Sequence, residues 1–196
     1  MIAPETIMKR HEELVALRQP EESRWRDMAR LLRPEDQEIG TGKKDGTHDD
    51  IFDSTALYAV DTFVGGFFNS ATNPANRWME LQPRGDEELA RWGPVASWMY
   101  GATSAVFASA APEYSGFYVQ VQPQFADMGV FGLGTIYQDW APGRGLMDTA
   151  VPLSQLYIDK DAFGEIDTYS RVQTYSGRKL KQRYPDAVEA GMLKNR

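Results

Sequence analysis

The residues best suited to metal chemistry form an acidic cluster near position 50. His48, Asp49, Asp50 and Asp53 include the hard oxygen ligands that Mg²⁺ prefers. They lie in a polar stretch and at a helix entrance, where aspartate commonly caps the helix and aids solubility. Because His11 is the only other histidine in the sequence, a histidine-based catalytic network has little material. The cluster therefore indicates a structural role, with a metal-dependent hydrolase as the alternative.

Two further segments imitate ligand-binding loops without completing them. Residues 159–164 match the start of a calcium loop, but Phe163 and Ser170 stand where two further ligands are required. Residues 129–135 are as glycine-rich as a phosphate-binding loop. They follow a predicted helix and lead into a strand, however, which reverses the nucleotide-binding order. The first segment therefore predicts a hairpin turn, and the second a sharp turn in which glycines let two backbones approach closely.

A basic run near the C-terminal end could contact nucleic acid or another subunit. It comprises Arg178, Lys179, Lys181 and Arg183, side chains that can neutralise phosphates. Such a run is more often the solvated face of a helix. The chain as a whole carries a formal charge of −7, whereas domains that grip DNA are usually basic. Interface or DNA contact is therefore a hypothesis for these four residues, beside a solvated helix face.

Composition excludes several classes of protein. The sequence has no cysteine, so disulfides, thiolate metal sites and cysteine nucleophiles are excluded. Its most apolar window, residues 56–71, is interrupted by polar residues and glycines and is too short to span a membrane. The tryptophans are expected in the core rather than stacked on bases. They are Trp25, Trp78, Trp92, Trp98 and Trp140.

Apolar spacing predicts a mainly helical part over residues 1–132. Steps of three and four predict helices over residues 5–33, 54–73, 86–110 and 116–130. The expected buried stripes comprise Leu14, Leu17, Trp25, Met28 and Leu32; Leu57, Val60, Val64, Phe67 and Ala71; Leu89, Trp92, Ala96, Met99, Thr103, Val106 and Ala110; and Tyr118, Val121, Phe125 and Met128. Phe63 and Phe68 widen the second stripe, which predicts burial on two sides.

Local signals refine these helices. Pro20 predicts either two helices or one kinked helix, and Pro123 predicts a kink. Gly93-Pro94 disturbs the pattern of residues 86–110, so that helix either spans this range or begins only at Pro94. Ser54 is expected to be an N-cap. Residues 77–81 are predicted to be extended, and residues 36–50, which have almost nothing to bury, are predicted to form an exposed loop.

The pattern changes to period two from residue 133 onward. Alternating runs predict strands over residues 135–140, 146–152, 156–159 and 165–173. Residues 141–145 and 161–164 are the expected hairpin connections. Short helices are predicted over residues 175–183 and 187–194. The predicted fold class is α+β, in which long N-terminal helices pack with an antiparallel, β-hairpin-rich part over residues 133–196.

A succession of short motifs runs along nearly the whole chain. It begins with a long N-terminal helix that carries Arg18, Arg24 and Trp25 and ends in Leu-Arg-Pro at residues 32–34. Next come Asp-Ile-Phe-Asp-Ser-Thr-Ala at residues 50–56, Asn-Ser-Ala-Thr-Asn-Pro at residues 69–74 and Arg-Trp-Met-Glu-Leu at residues 77–81. It continues through residues 116–118, 131–135, 151–153, 158–159 and 174–180. In order and spacing this succession resembles the head-to-tail connector, or portal, family of short-tailed bacteriophages. Met79, in place of an aromatic residue, and Pro123 within a helix are small departures.

The resemblance implies a structural function rather than a catalytic one. It implies a homododecamer, a ring of about twelve copies at the capsid portal vertex, through which double-stranded DNA is packaged and ejected. The implied partners are further copies of the chain, the major capsid protein, scaffolding protein, terminase and tail adaptor proteins. Capsid assembly would take place in the host bacterial cytoplasm, and the final location would be the virion. No catalytic residue, cofactor, metal or membrane is implied.

Two points remain open on the sequence alone. Family members are typically much longer, so this chain resembles the N-terminal wing portion, and the stem, clip and crown regions are expected to be absent. Judged from the residues without the family, a non-enzymatic helical module that binds a partner protein as a monomer or dimer is a second interpretation. The two interpretations differ in whether the chain forms rings.

Overall fold

Helices dominate the first two thirds of the fold and β-hairpins follow them. The computed structural model describes residues 3–34, 39, 53–111, 115–143 and 145–185. Within these ranges the helices are α1 (Pro4–Leu32), α2 (Thr55–Ala71), α3 (Glu87–Arg91), α4 (Gly93–Ala110), α5 (Phe117–Phe131) and α6 (Gly177–Arg183), and the strands are β1 (Ile136–Ala141), β2 (Gly145–Ala150), β3 (Leu156–Lys160) and β4 (Ile166–Arg171). This is the predicted α+β class. The helix predicted over residues 187–194 lies outside the described residues.

Helix α1 runs through Pro20 as one helix rather than two. Pro20 is exposed, so water can satisfy the backbone carbonyl that the proline leaves without a donor. The face packed against the rest of the molecule carries Leu14 and Arg18, which lie one turn apart and are both buried. Leu17 is 57% exposed, so its predicted place in the buried stripe is wrong. An arginine occupies the next buried position instead.

Helix α2 lies against α5 through aromatic contacts. The rings of Phe67 and Phe125 meet edge to face, with centroids 4.7 Å apart. None of the residues of α2 is fully buried, so the prediction of burial on two sides is wrong for the single chain. Ser54 occupies the N-cap position, as predicted, but its side chain makes no cap hydrogen bond. Asp53 Oδ1 accepts instead from the backbone N–H of Thr55 at 2.9 Å.

The predicted helix over residues 86–110 is divided in two. Helix α3 ends at Arg91 and α4 begins at Gly93, because Pro94 fits the first turn of a new helix but not the interior of an old one. Thr103 and Ala110 of the predicted stripe are buried, as expected, and Met99 is half-buried. Leu89, Trp92, Ala96 and Val106 are exposed, so only part of the predicted stripe is buried.

Residues 77–81 form no strand but a connection packed between two helices. Trp78 stacks on Phe117 with ring centroids 5.6 Å apart and meets Phe107 at 5.4 Å. The backbone N–H of Leu81 donates to Thr103 Oγ1 at 3.1 Å. These contacts fix the buried side of α4 against the start of α5.

Two antiparallel hairpins complete the described fold. Strands β1 and β2 pair from Ile136 opposite Ala150 to Ala141 opposite Gly145. Strands β3 and β4 form a second two-stranded sheet, with an irregularity at Asp159 and Lys160. Both hairpins and their connections match the prediction. The expected loop at residues 36–50 lies outside the described residues except for Ile39, which is buried and contradicts an expectation of nothing to bury.

Candidate assembly surfaces

A buried arginine joins the first helix to the second hairpin. Arg18 Nη1 donates to the carbonyl oxygens of Leu153 at 2.9 Å and Leu156 at 2.6 Å. Its Nε lies 3.2 Å from Glu22 Oε1, and its guanidinium lies over the ring of Tyr157 at 4.5 Å. Burial lowers the pKa of Arg18, and the electrostatic effects of Tyr157 and Glu22 oppose that shift. The position of α1 on β3 is therefore set by a polar contact.

Further contacts along α1 extend this junction. Arg10 Nη2 bonds Asp159 Oδ2 at 2.8 Å, and His11 Nδ1 lies 3.0 Å from Ser170 Oγ. At the other end, Arg33 Nη2 lies 3.4 Å from the buried Asp127 of α5. One side of α1 therefore holds the helical and β-rich parts together.

Buried polar side chains attach the first hairpin to α5. Asp148 accepts hydrogen bonds from Ser115 Oγ at 2.9 Å and Gln138 Nε2 at 2.7 Å. Gln120 Oε1 accepts from the backbone N–H of Ala150 at 2.7 Å. Gln124 Oε1 accepts similarly from Thr135. These hydrogen bonds join Asp148 and the strand backbone to α5 and the residues before it, so the role of the side chains is positional.

The glycines of residues 129–135 make a close turn, as predicted. Gly132 ends α5 with φ +81°, a left-handed conformation that glycine adopts without strain. A Cβ on Gly134 would lie 2.5 Å from the backbone oxygen of Gln124. The glycines of this segment therefore let its backbone lie close to the backbone of α5. This close contact explains the glycine-rich composition without a phosphate ligand.

The calcium-like segment is the turn of the second hairpin. Asp161 Oδ1 accepts from the backbone N–H groups of Phe163 at 2.8 Å and Glu165 at 2.9 Å. Gly164 adopts φ +87°, as the turn requires. The carboxylate of Asp161 therefore shapes the turn.

Of the acidic cluster, the structure describes Asp53 alone. Its carboxylate caps α2, and hydrogen bonds from Thr55 lower its pKa. His48, Asp49 and Asp50 lie outside the described residues. Across the part of the chain that is described, no three histidine or acidic side chains converge as metal ligands. No described helix is long and apolar enough to cross a membrane.

The basic run forms the exposed helix α6. Arg178, Lys179 and Lys181 are exposed. Arg183 forms an ion pair with Asp139 of β1. Because Arg183 donates this hydrogen bond, the pKa of Asp139 falls below its ordinary value and that of Arg183 rises. The structure thus ties one of the four predicted residues to β1 and leaves three toward solvent.

A surface that the sequence assigned to the core is exposed on α4. This helix of 18 residues contains no charged residue, and α2 contains only Asp61. Trp98 is 67% exposed, and Trp92 and Trp140 are also exposed, so the core assignment of these three tryptophans is wrong. A helix that is uncharged on all sides normally lies buried. The absence of charge over residues 93–110 is the sequence signal that could have identified this surface.

The fold and its surfaces together define a class of protein. Its buried polar groups hold elements together, whereas large apolar side chains on α1, α2 and α4 are exposed. Extensive apolar exposure marks a subunit of a larger assembly. The chain matches the family of bacteriophage head to tail connecting proteins over residues 4–195, and it belongs to that family. A comparison with curated proteins gives no significant match.

Proposed function

We propose that this chain is a subunit of a ring that connects the phage head to its tail and through which double-stranded DNA is packaged and ejected. The observation that carries the proposal is the family match over residues 4–195. The uncharged, exposed faces of α4 and α2 support it, because they need a partner surface. Contacts between two different faces that repeat with a fixed rotation close into a ring when the rotations add up to one full turn, and otherwise they build an open filament.

The charge of the chain suits passage of DNA rather than tight binding. At a formal charge of −7, a subunit repels phosphate on average, so DNA would move through without being trapped. Recognition of base sequence needs side chains aimed at base edges, and this function does not require it. The ring is proposed to hold about twelve copies and to act without catalytic residue or cofactor.

The proposed partners follow from a position at the portal vertex of the virion. They are neighbouring copies, the major capsid protein, scaffolding protein, the terminase motor and tail adaptor proteins, with assembly in the host cytoplasm. Residues 1–132 are proposed as the helical part of the wing and residues 133–196 as its β-rich part.

The mass of the chain in solution tests the ring. Light scattering or native mass spectrometry is expected to detect a closed oligomer of about twelve copies, and negative-stain images should show rings. A monomer or dimer at every concentration would instead support the helical partner-binding module and contradict the ring.

The basic helix α6 is proposed as part of a subunit interface. Reversing the charge of Arg178, Lys179 and Lys181 to glutamate is expected to weaken assembly, since favourable contacts with an acidic neighbour become repulsive. Arg24→Glu, an exposed change on α1, is the control. Unchanged assembly of the triple variant would remove α6 from the interface.

A further inference from the structure

One side of α4 is an exposed stripe whose own residues are uncharged. It is bordered by Arg77, whose guanidinium lies over the ring of Tyr100 at 4.2 Å and donates to Ser104 Oγ. Pro94, Trp98, Gly101, Ala105 and Ala108 are all exposed and recur at steps of three and four, so they share one face. We call these five residues the α4 face. The opposite side packs on the molecule through Thr103 and Ala110. Trp98 projects from a face whose other members are small, which allows close approach of another helix.

A second uncharged surface lies on α2. A shallow groove is lined by Ala59, Thr62, Phe63, Gly66, Phe67 and Ser70, which we call the α2 groove. A Cβ placed on Gly66 would meet no atom within 4 Å, so space is open over the floor of the groove. Asp61, the one charged residue of α2, lines a different pocket with Leu57 and Val64. The groove itself is therefore free of charge.

We propose that the α4 face of one copy docks into the α2 groove of the next copy. This contact rests on the ring proposed above. A groove of aromatic and small side chains matches a face made of one tryptophan among small residues. The two surfaces differ, so each copy would use one toward each neighbour, which is the heterologous arrangement that closes a ring.

Charge identifies a second copy as the occupant. Each copy carries a formal charge of −7, so two copies approach at least cost through surfaces without charge. A basic partner segment would lose its hydration against these faces and gain no countercharge. An acidic segment would meet only Arg77, at the border of the α4 face. The chain itself supplies both halves of an uncharged contact.

The absence of cysteine in the sequence makes a cross-linking test specific. Cysteine is introduced on α4 at Ser97 or Ala105 and on α2 at Ala59 or Ser70, all of which are exposed, and a short bismaleimide is added. The four pairings sample both ends of each surface, so the result does not depend on the helix register. At least one mixture of an α4 variant with an α2 variant is expected to give dimers. The corresponding double variant should give a ladder of higher oligomers.

Matched tryptophan variants provide a second measurement. Trp98→Glu is expected to weaken self-association by about thirtyfold or more, as at a central interface residue. Trp140→Glu is the control, because Trp140 is 69% exposed, nearly as Trp98 is at 67%, but lies on β1. Unchanged circular dichroism would confirm that both variants fold.

The outcomes separate this contact from the ring itself. Rings that form without any of the four cross-links, or equal effects of the two tryptophan variants, would overturn the contact and leave the ring standing. Dimers from a single α4 variant alone would indicate a symmetric contact and also overturn it. Cross-linked pairs without closed rings would support the contact and contradict the ring. A chain that neither cross-links nor associates would overturn both.

Discussion

The guanidinium of Arg18 joins α1 to the second hairpin. Arg18→Ala leaves Glu22 and two carbonyl oxygens without their buried donor, and we expect a loss of about 3 kcal/mol in the free energy of unfolding. Arg18→Lys should lose about 2 kcal/mol, because an ammonium cannot reproduce the planar contacts. Urea denaturation measures both, and Arg24→Ala should change stability by less than about 0.5 kcal/mol. Equal stability of the Arg18 and Arg24 variants would refute this role.

Gly134 tests whether close backbone approach explains the glycine-rich turn. The added methyl of Gly134→Ala would meet Gln124 O at 2.5 Å, and we expect destabilisation by about 1–3 kcal/mol, as in overpacked cores. Inside α2, by contrast, a Cβ on Gly65 would meet no atom within 4 Å. Gly65→Ala should therefore stabilise by about 0.5–1 kcal/mol through helix propensity. Thermal unfolding of Gly134→Ala and Gly65→Ala measures both changes in stability. Changes of the same sign in the two variants would contradict the steric explanation.

Helix α6 is held to β1 by a contact that acid should release. The ion pair with Arg183 lowers the pKa of Asp139, so its stabilisation is complete above the unfolded-state pKa and is lost as pH falls through the folded pKa. We expect the ion pair between Asp139 and Arg183 to be present at neutral pH and to be lost in acid. NMR titration should give Asp139 a pKa below its ordinary value, returning toward it in Arg183→Gln. Lys181→Gln is the control and should leave the titration unchanged.

The sequence predicted the helices and strands well, but it did not predict some of the contacts that hold them together. The hairpins and α5 were predicted because period and turn residues are local signals. The burial of Arg18 in place of Leu17 depends on the carbonyl oxygens of Leu153 and Leu156, which no local pattern reveals. Ser54 is the N-cap residue, as predicted, but Asp53 accepts the hydrogen bond from the first turn, which depends on backbone geometry that the residue types do not fix.

The assembly surface was missed for a reason that concerns the whole molecule. The sequence assigned Trp98 to a core, because apolar character alone does not tell whether the covering surface belongs to the same chain. The described chain leaves Trp98 exposed. An uncharged α4 in a chain of 25% charged residues is the stronger signal, since it shows that neither side of the helix is adapted to water.

The response of self-association to salt distinguishes the two proposed interfaces. Two copies of charge −7 with centres about 40 Å apart repel by about 1 kcal/mol at 0.01 M salt and by almost nothing at 0.15 M. If the uncharged contact between α4 and α2 dominates, salt removes only this repulsion, so affinity should rise roughly fivefold between these conditions. If the basic helix α6 dominates, screening removes its attraction and affinity should fall. Sedimentation at both salt concentrations measures the sign. A fall in affinity would place the principal contact on α6 and not on the charge-free helices.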